Sequence, residues 1–398
     1  MSLLSIRLKK PVERAISGGH PWVFRDALER FDASPGALVT VLSRGGAFVA
    51  RGYVGEGPIA VRVLTTADEP LDATFFARRV DAAAELRQRL LGRDTTAFRL
   101  LHGEGDRLPG FVCDVYGAHA VVQLDGAGAR ALLPTVIPAL EVSLERLGVM
   151  HLLERHGRGD DKRVEARKGV VPTEPVVVTE HGMRLAVNLV TGQKTGMFID
   201  HRESRARVRT LAQGLRVLNL YSYTGGFSVA AALGGAHHVT SVDVAPAAIA
   251  LARDNFRLNQ LTTDHDAICS DVSVFLDGAG DSYDLVVADP PSFAPNEASV
   301  VAAEQSYAAL HRAALSRVVD GGLYLAASCS SHISRDMFEH TLLQAARESG
   351  HVLQVLERSG APFDHPRLLA FPEGDYLKVL LTRVSRQPRT PRRGRSRS

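Results

Sequence analysis

Between Arg216 and Thr382 the chain alternates short apolar runs with longer amphipathic stretches, and no other feature restricts its fold so tightly. Strand-like runs at 216–220, 239–243, 284–288 and 323–328 are each followed by residues of helical period, at 227–233, 246–258, 300–319 and 335–349. Two more strands are predicted at 351–357 and 376–382. Strands and helices of this length in strict alternation form a doubly wound, mostly parallel sheet of Rossmann-like type. Ligands of such a sheet lie at the carboxyl ends of its strands.

The preceding residues follow other rules. Runs at 37–42, 47–53 and 59–64, separated by glycine turns, have the spacing of a small β-barrel. Residues 71–91 place Phe75, Phe76, Val80, Ala83, Ala84 and Leu90 at helical spacing, an amphipathic helix that opens a second domain. Residues 111–178 mix strands with a helix near 129–147, and the charged stretch 155–168 reads as a solvated loop or hairpin. The expected organisation is a multidomain α/β chain: a barrel at 1–68, a central α/β domain at 69–180, the Rossmann-like domain at 181–384 and a disordered tail at 385–398.

Charge is unevenly spread along the 398 residues, whose formal total is only +3. The tail from Ser385 holds six arginines and no acid, so the body before it carries −3. Within that body residues 1–64 carry +4 and residues 181–384 carry −4. Three cysteines without CxxC spacing, Cys113, Cys269 and Cys329, support neither a disulfide framework nor a zinc site. No signal peptide and no apolar run of membrane-spanning length stand out, so a cytoplasmic location is expected.

Three constellations at strand ends carry chemistry. Asn219-Leu-Tyr-Ser-Tyr-Thr-Gly-Gly-Phe227 forms a glycine turn between strand and helix, where the backbone can approach a ligand. Asp243 stands eighteen residues after Gly225, at the end of the next strand, placed to accept hydrogen bonds from ribose hydroxyls. The turn lacks the G-x-G-x-x-G of a dinucleotide site, which favours a nucleoside cofactor without a diphosphate, S-adenosylmethionine. Asp289-Pro-Pro-Ser-Phe293 then offers an acid for a base edge and Phe293 for stacking a flipped base, although a rigid turn with Phe293 in the core would leave the same trace. Ser328-Cys329-Ser330 closes the adjacent strand. A thiolate beside a methyl donor is needed where carbon 5 of a pyrimidine is the acceptor, because addition at carbon 6 makes carbon 5 nucleophilic. Cys113 and Cys269 lack such settings and read as structural. The polar run from Thr191 to Arg202 resembles a ligand clamp but contains no phosphate-loop pattern.

Taken in order, these motifs resemble the PUA-domain-containing, RlmI-type family of S-adenosylmethionine-dependent ribosomal RNA cytosine-5 methyltransferases. His20-Pro-Trp-Val-Phe24 is similar to the signature of that family's RNA-binding PUA barrel. The run from Arg99 to Asp114, the run from Thr191 to Arg205, and Phe371-Pro-Glu-Gly-Asp-Tyr-Leu-Lys378 match in sequence order. The resemblance implies a class I methyltransferase domain with Cys329 as nucleophile and Asp289 near both methyl donor and base. It further implies Asp243 as ribose ligand, Asp271 as adenine contact, and Tyr221, Ser222, Thr224, Gly225 and Phe227 in the methionine-side loop. Lys194, Thr195 and Phe198 would close the cofactor pocket. Ser292 stands where the family often has Lys, and the arginine-rich tail is outside the family pattern.

The implied partner is large-subunit ribosomal RNA, with no membrane, and related folds suggest a homodimer. Glu373 is a candidate for the base that removes the carbon-5 proton. The alternatives are methylation of another RNA position, such as a guanine ring nitrogen, and a non-catalytic ribosome-assembly factor. With an acidic catalytic domain, attraction for the phosphate backbone is expected from the basic barrel and tail.

Overall fold

The computed structural model describes residues 3–157, 161–278, 280–294 and 296–387. Two compact units emerge, Met1–Arg202 together with Ala361–Asp375, and Glu203–Gly360 together with the chain from Tyr376 onward. The boundary expected at residue 180 lies inside the first unit. Residues 361–375, expected in the methyltransferase domain, belong to that unit as well.

The first unit begins with strands β1 (Leu4–Arg7), β2 (Trp22–Phe24), β3 (Leu38–Leu42), β4 (Phe48–Val54) and β5 (Ile59–Thr65), with helix α1 (Glu13–Ser17) after β1. They form one sheet in the order β1-β3-β4-β5-β2, parallel only between β1 and β3. Alternation in β3 turns Val39 and Val41 into a core shared with Ile6, Val23, Ala50 and Val61.

A second sheet follows, ordered β10-β9-β8-β7-β6, from β6 (Ala97–His102), β7 (Phe111–Tyr116), β8 (His119–Leu124), β9 (His151–His156) and β10 (Arg163–Lys168). Helices α2 (Ala73–Leu90) and α3 (Gly126–Arg146) pack with it. Asp72 caps α2 by accepting from the Phe75 amide at 2.9 Å. The predicted stripe of α2 is buried except for Leu90, which is 46% exposed. By length and composition α3 could cross a membrane, but Leu132, Leu133, Val136 and Leu140 pack in the core. Tyr53 and Leu64 of the first sheet join this core, and the Tyr53 hydroxyl donates to the Pro109 carbonyl at 2.7 Å.

Within residues 155–168 the end of β9 pairs antiparallel with β10, yet the stretch is not uniformly solvated. Arg155 is 3% exposed and donates to the carbonyls of Leu189 and Gly192 at 2.8 and 2.9 Å. The hairpin β11 (Val176–Glu180) with β12 (Met183–Val187) completes the regular structure.

Residues 361–375 are tied in by ions. Arg202 makes a two-pronged ion pair with Asp364 at 2.8 and 2.9 Å, both side chains being wholly buried. The same carboxylate accepts from the Arg99 amide at 2.9 Å, while Arg87 donates to the Asp364 carbonyl at 2.7 Å and forks onto Asp106 at 2.6 and 2.8 Å. His365 and His102 lie beside it with ring centroids 5.0 Å apart. Burial works against the Asp364 charge, but hydrogen bonds from His365 and Arg202 outweigh it and hold the carboxyl well below its usual range. Burial first, and then the Arg99 guanidinium, depress both histidines, so each is neutral in the fold.

The second unit carries the doubly wound sheet. Its parallel strands are β13 (Arg216–Leu220), β14 (His238–Asp243), β15 (Asp264–Cys269), β16 (Tyr283–Ala288) and β17 (Val318–Ser328). β18 (His351–Ser359) and β19 (Lys378–Arg386) give the order β15-β14-β13-β16-β17-β19-β18, with β19 antiparallel to both neighbours. Helices α4 (Arg202–Leu211), α5 (Gly226–Leu233), α6 (Pro246–Leu258), α7 (Val272–Asp277), α8 (Val300–Leu315) and α9 (Arg335–Glu348) accompany them. Pro246 starts α6 at the first helical turn, where a missing amide costs nothing.

Three details depart from expectation. β15 and α7 were absent from the predicted pattern, because Asp-His-Asp-Ala-Ile-Cys is an edge strand with too few apolar residues to show. α8 ends at Leu315, not 319, and β17 starts at Val318. The tail does not begin at Ser385: Ser385 and Arg386 pair with Val352 and His351 in β19, and the rest of it, from Pro388, lies outside the described residues.

Replacing Asp364 by Ala strands the buried Arg202 charge and is expected to destabilise the first unit by about 3–5 kcal/mol, measured by urea denaturation. The pH dependence follows from the same groups. Neutral His102 and His365 contribute fully above about pH 6.5 and lose their contribution as pH falls, since the unfolded chain takes protons the fold refuses. Asp364 contributes above about pH 4 and is lost below it. The urea midpoint should therefore drop between pH 7.5 and 5 and drop again below pH 4; a flat profile from 7.5 to 5 contradicts the histidine assignment.

Candidate active site

Chain order fixes where a ligand can sit on this sheet. The path runs from β13 outward through β14 and β15, then returns to the other side of β13 as β16, so a crevice opens between the carboxyl ends of β13 and β16. Register aligns the residues there. Leu220 pairs with both Val242 and Ala288, and Ala288 pairs with Ala326. The next residues, Tyr221, Asp243 and Asp289, thus stand level along the edge, with Cys329 just past the end of the neighbouring β17. Asp289 is level with Ala327, two residues before Cys329, and the loops that follow the two strands meet where the Ser292 and Ser330 hydroxyls bond at 2.8 Å.

The β13–α5 turn is strained in a way that suits a ligand. Tyr221 and Tyr223 have φ of 56° and 47°, a left-handed conformation costing roughly 1–2 kcal/mol each for such residues. Gly225, at φ 79°, packs so closely on α6 that an added Cβ would lie 2.9 Å from the Ala252 methyl. Hydrogen bonds hold the strain. The Tyr223 amide donates to Asp243 Oδ2 at 2.8 Å, the Ser222 amide to the Val242 carbonyl at 2.9 Å, and Asn255 to the Thr224 carbonyl at 2.9 Å. Asp243 Oδ1 accepts from the Ala245 amide at 2.9 Å, which sets the plane of the carboxylate. Ser222 Oγ is buried without a hydrogen-bond partner among the described residues. An oriented acid at the end of β14, beside a turn that carries a glycine cradle and an unanswered hydroxyl, fits a nucleoside with a polar amino-acid arm.

Asp271 caps α7 by accepting from the Ser273 amide at 2.7 Å; the Ser273 hydroxyl first, and then this amide, lower its pKa. Its charge is felt by Tyr221, whose hydroxyl is pushed up to about 12, by burial first and by Asp271 second. Phe227 is buried as the second residue of α5, with the Arg205 guanidinium over its ring.

Around Cys329 the structure assembles residues that the sequence pattern did not single out. Tyr307 of α8 accepts from Ser328 Oγ at 3.0 Å and shares a hydrogen bond of 3.0 Å with Ser330, whose hydroxyl also meets Ser292 at 2.8 Å. Cys329 sits half-buried between the two serines. Phe293 packs against Tyr307 with centroids 4.8 Å apart and rests on the core, in line with the structural reading of that residue. Lys378, 1% exposed, donates to the Ser330 carbonyl at 2.6 Å and to the Tyr376 carbonyl at 2.9 Å, pinning the loop that carries the thiol. Tyr307 left no signal, being one more apolar position of an amphipathic helix. Lys378 was legible only as part of a motif.

Lys194, Thr195 and Phe198 belong to the first unit. The Lys194 ammonium pairs with Asp200 at 2.5 Å and lies 4.5 Å from the Phe198 ring centre. Thr195 is wholly buried, its hydroxyl bonded to Tyr116 at 2.8 Å and to Asp114. Glu373, in the same unit, has His20 Nε2 at 3.7 Å. Cys113 is fully buried, which pushes its thiol up, and Cys269 is exposed at the end of the edge strand.

A family model of S-adenosylmethionine-dependent methyltransferases matches residues 129–383. The chain belongs to that family. A PUA-like domain matches residues 6–66 of the methyltransferase, where the first sheet lies. Among curated relatives, ribosomal RNA large subunit methyltransferase I of Erwinia tasmaniensis is 36% identical over 95% of this chain and 98% of its own. The enzyme of that name from Yersinia pestis bv. Antiqua is 35% identical with the same coverage. The crystal structure of SMU.776, described as a methyltransferase complexed with SAH, superposes with a TM-score of 0.85 at 25% identity, covering 96% of this chain and all of that one. A SAM-dependent methyltransferase from Streptococcus mutans has the same fold, with a TM-score of 0.84 at 23% identity over 96% of this chain and 100% of its own. The methyltransferase uses S-adenosylmethionine as its cofactor, and its fold class is the one the strand–helix alternation predicts.

Asp243→Asn is expected to weaken binding of S-adenosylhomocysteine by roughly 10- to 100-fold, the value of one or two charge-assisted hydrogen bonds, as read by calorimetry. An unchanged affinity would remove Asp243 from the cofactor site.

Proposed function

We propose that this methyltransferase acts on large-subunit ribosomal RNA and places the methyl group on carbon 5 of a cytosine, with Cys329 as covalent nucleophile. The observation that carries the reading is the position of Cys329 at the end of β17, beside the Asp289 loop and across the topological switch point from the Asp243 turn. The names of the two relatives above support the RNA class, since both are methyltransferases of large-subunit ribosomal RNA.

In this reading Asp243 accepts from the ribose hydroxyls, Asp271 faces the adenine, and the turn from Tyr221 to Phe227 holds the methionine arm. Bound S-adenosylmethionine supplies an electrophilic sulfonium methyl. The thiolate of Cys329 forms a bond to carbon 6 of the cytosine and moves electron density to carbon 5. Asp289 steadies the base at N3 or at the amino group. Carbon 5 takes the methyl as the methyl–sulfonium bond breaks, with S-adenosylhomocysteine as the leaving group; a base then takes the carbon-5 proton, the electrons of that C–H bond re-form the ring double bond, and the carbon 6–sulfur bond breaks to return the thiolate. Lys378 acts as a positioning residue through the Ser330 carbonyl, and Tyr307 holds the serines on either side of the thiol.

Bisulfite mapping of ribosomal RNA from cells carrying only Cys329→Ala should show loss of one 5-methylcytosine, while the purified variant binds S-adenosylhomocysteine normally. A fully active alanine variant overturns the covalent mechanism. Lys378→Met should lower kcat by 10-fold or more with little change in KM for S-adenosylmethionine; Lys378→Arg, which keeps the charge, should recover part of the loss.

A further inference from the structure

Three arginines from separate parts of the first unit face one cleft, and its acids are already engaged. The cleft has a volume of about 600 Å³ and is bordered by the α1–β2 loop, by the end of β5, by Arg79 of α2, by Arg107 after β6, and by residues 367–370. Two carboxylates line it. Glu69 accepts from Arg78 at 2.6 Å and from the Thr65 hydroxyl at 2.9 Å. Glu104 accepts from Arg62 at 2.9 Å and from the Trp22 indole at 2.8 Å.

The arginines have no such partners. Arg107 and Arg367 are exposed and make no side-chain hydrogen bond or ion pair among the described residues. Arg79 donates to the Leu64 carbonyl at 3.3 Å and lies over the Phe75 ring, 5.1 Å from its centre, but pairs with no carboxylate among the described residues. Burial, and next the Arg107 guanidinium, lower the pKa of Arg79, so the two cations are close enough to repel. Arg107 is held there by a left-handed backbone, φ 58°. Beside Arg367 stands Leu369, 92% exposed, an apolar side chain without cover. A concavity of this size admits a nucleotide but not a duplex. Several like charges spread over its rim suit a ligand with successive phosphates better than a single anion.

We propose that this cleft binds an unpaired segment of RNA, with phosphates on Arg79, Arg107 and Arg367 and a base or sugar against Leu369. The proposal rests on the RNA reading above and adds a second contact region to it. Residues 361–375 would then owe their place in the first unit to substrate capture: Arg367 and Leu369 lie three and five residues beyond the buried Asp364. The uneven charge along the chain points to the barrel and the tail for backbone attraction, and Arg79, Arg107 and Arg367 belong to neither.

The test uses the full chain and unmethylated large-subunit ribosomal RNA transcribed in vitro, with affinity measured from 50 to 200 mM salt. The double variant Arg107→Gln with Arg367→Gln removes two cations that make no bonds in the fold, so melting temperature and S-adenosylhomocysteine affinity should stay at wild-type values. RNA affinity at 100 mM salt should fall by about 10-fold or more, and the slope of log affinity against log salt should decrease by about 1.4, near 0.7 for each lost phosphate contact. Leu369→Ala alone should weaken binding while the wild-type salt slope is kept, since it removes an apolar contact and no charge. A double variant with wild-type affinity and slope overturns the cleft and leaves the methyltransferase reading intact. A wild-type protein that fails to bind the RNA overturns both.

Discussion

A carboxylate with no access to water, Asp364, organises the first unit. Its charge survives burial only because Arg202 meets it with both guanidinium prongs and the Arg99 amide donates to it. Removing any of these leaves a buried charge unanswered, which costs far more than the pair contributes. The requirement reaches across 162 positions of sequence, from the start of α4 to a segment that lies between two strands of the other unit. This ion pair, together with Phe371 packed against Trp22 at 4.6 Å between ring centroids, ties residues 361–375 into the first unit. Arg87 and Asp106 extend the network, and the neutral pair His102 and His365 seals it.

The second unit depends on a topological constraint. Right-handed crossovers send β14 and β15 to one side of β13 and bring β16 to the other, which leaves a crevice where the two directions part. Tyr221, Asp243 and Asp289 stand at that edge because parallel register keeps the ends of β13, β14 and β16 level. The cofactor turn stores its strain there too, with Tyr221 and Tyr223 held in left-handed conformations by Asp243, Val242 and Asn255. The donors that would meet a ligand are themselves fixed by bonds inside the protein, so little ordering remains for binding to complete.

Much of this was legible beforehand because apolar periodicity records burial directly. β13, β14 and β16 read as buried runs, and α6 was bounded correctly by its proline and its stripe. β15 was not legible, since an edge strand needs few apolar residues. Asp243 could be found from its distance to the glycine turn, and Cys329 from its place after an apolar run. Tyr307 could not, because a buried tyrosine in an amphipathic helix looks like core until its hydroxyl is seen between Ser328 and Ser330. Arg155, inside a charged stretch, looked solvated; its guanidinium is in fact spent on backbone carbonyls.

The sequence by itself determined the layered α/β architecture, the edge on which chemistry is placed and the residue types offered there, because hydrophobic spacing and turn chemistry are local. Only the tertiary structure decided which distant charges are paired. It buried Asp364 with Arg202, engaged Glu69 and Glu104, and left Arg79, Arg107 and Arg367 around a cleft without acids of their own. Net charge along the chain cannot show this, since an arginine counts the same whether it is answered or not, and the answer depends on which side chains folding brings within a few ångströms.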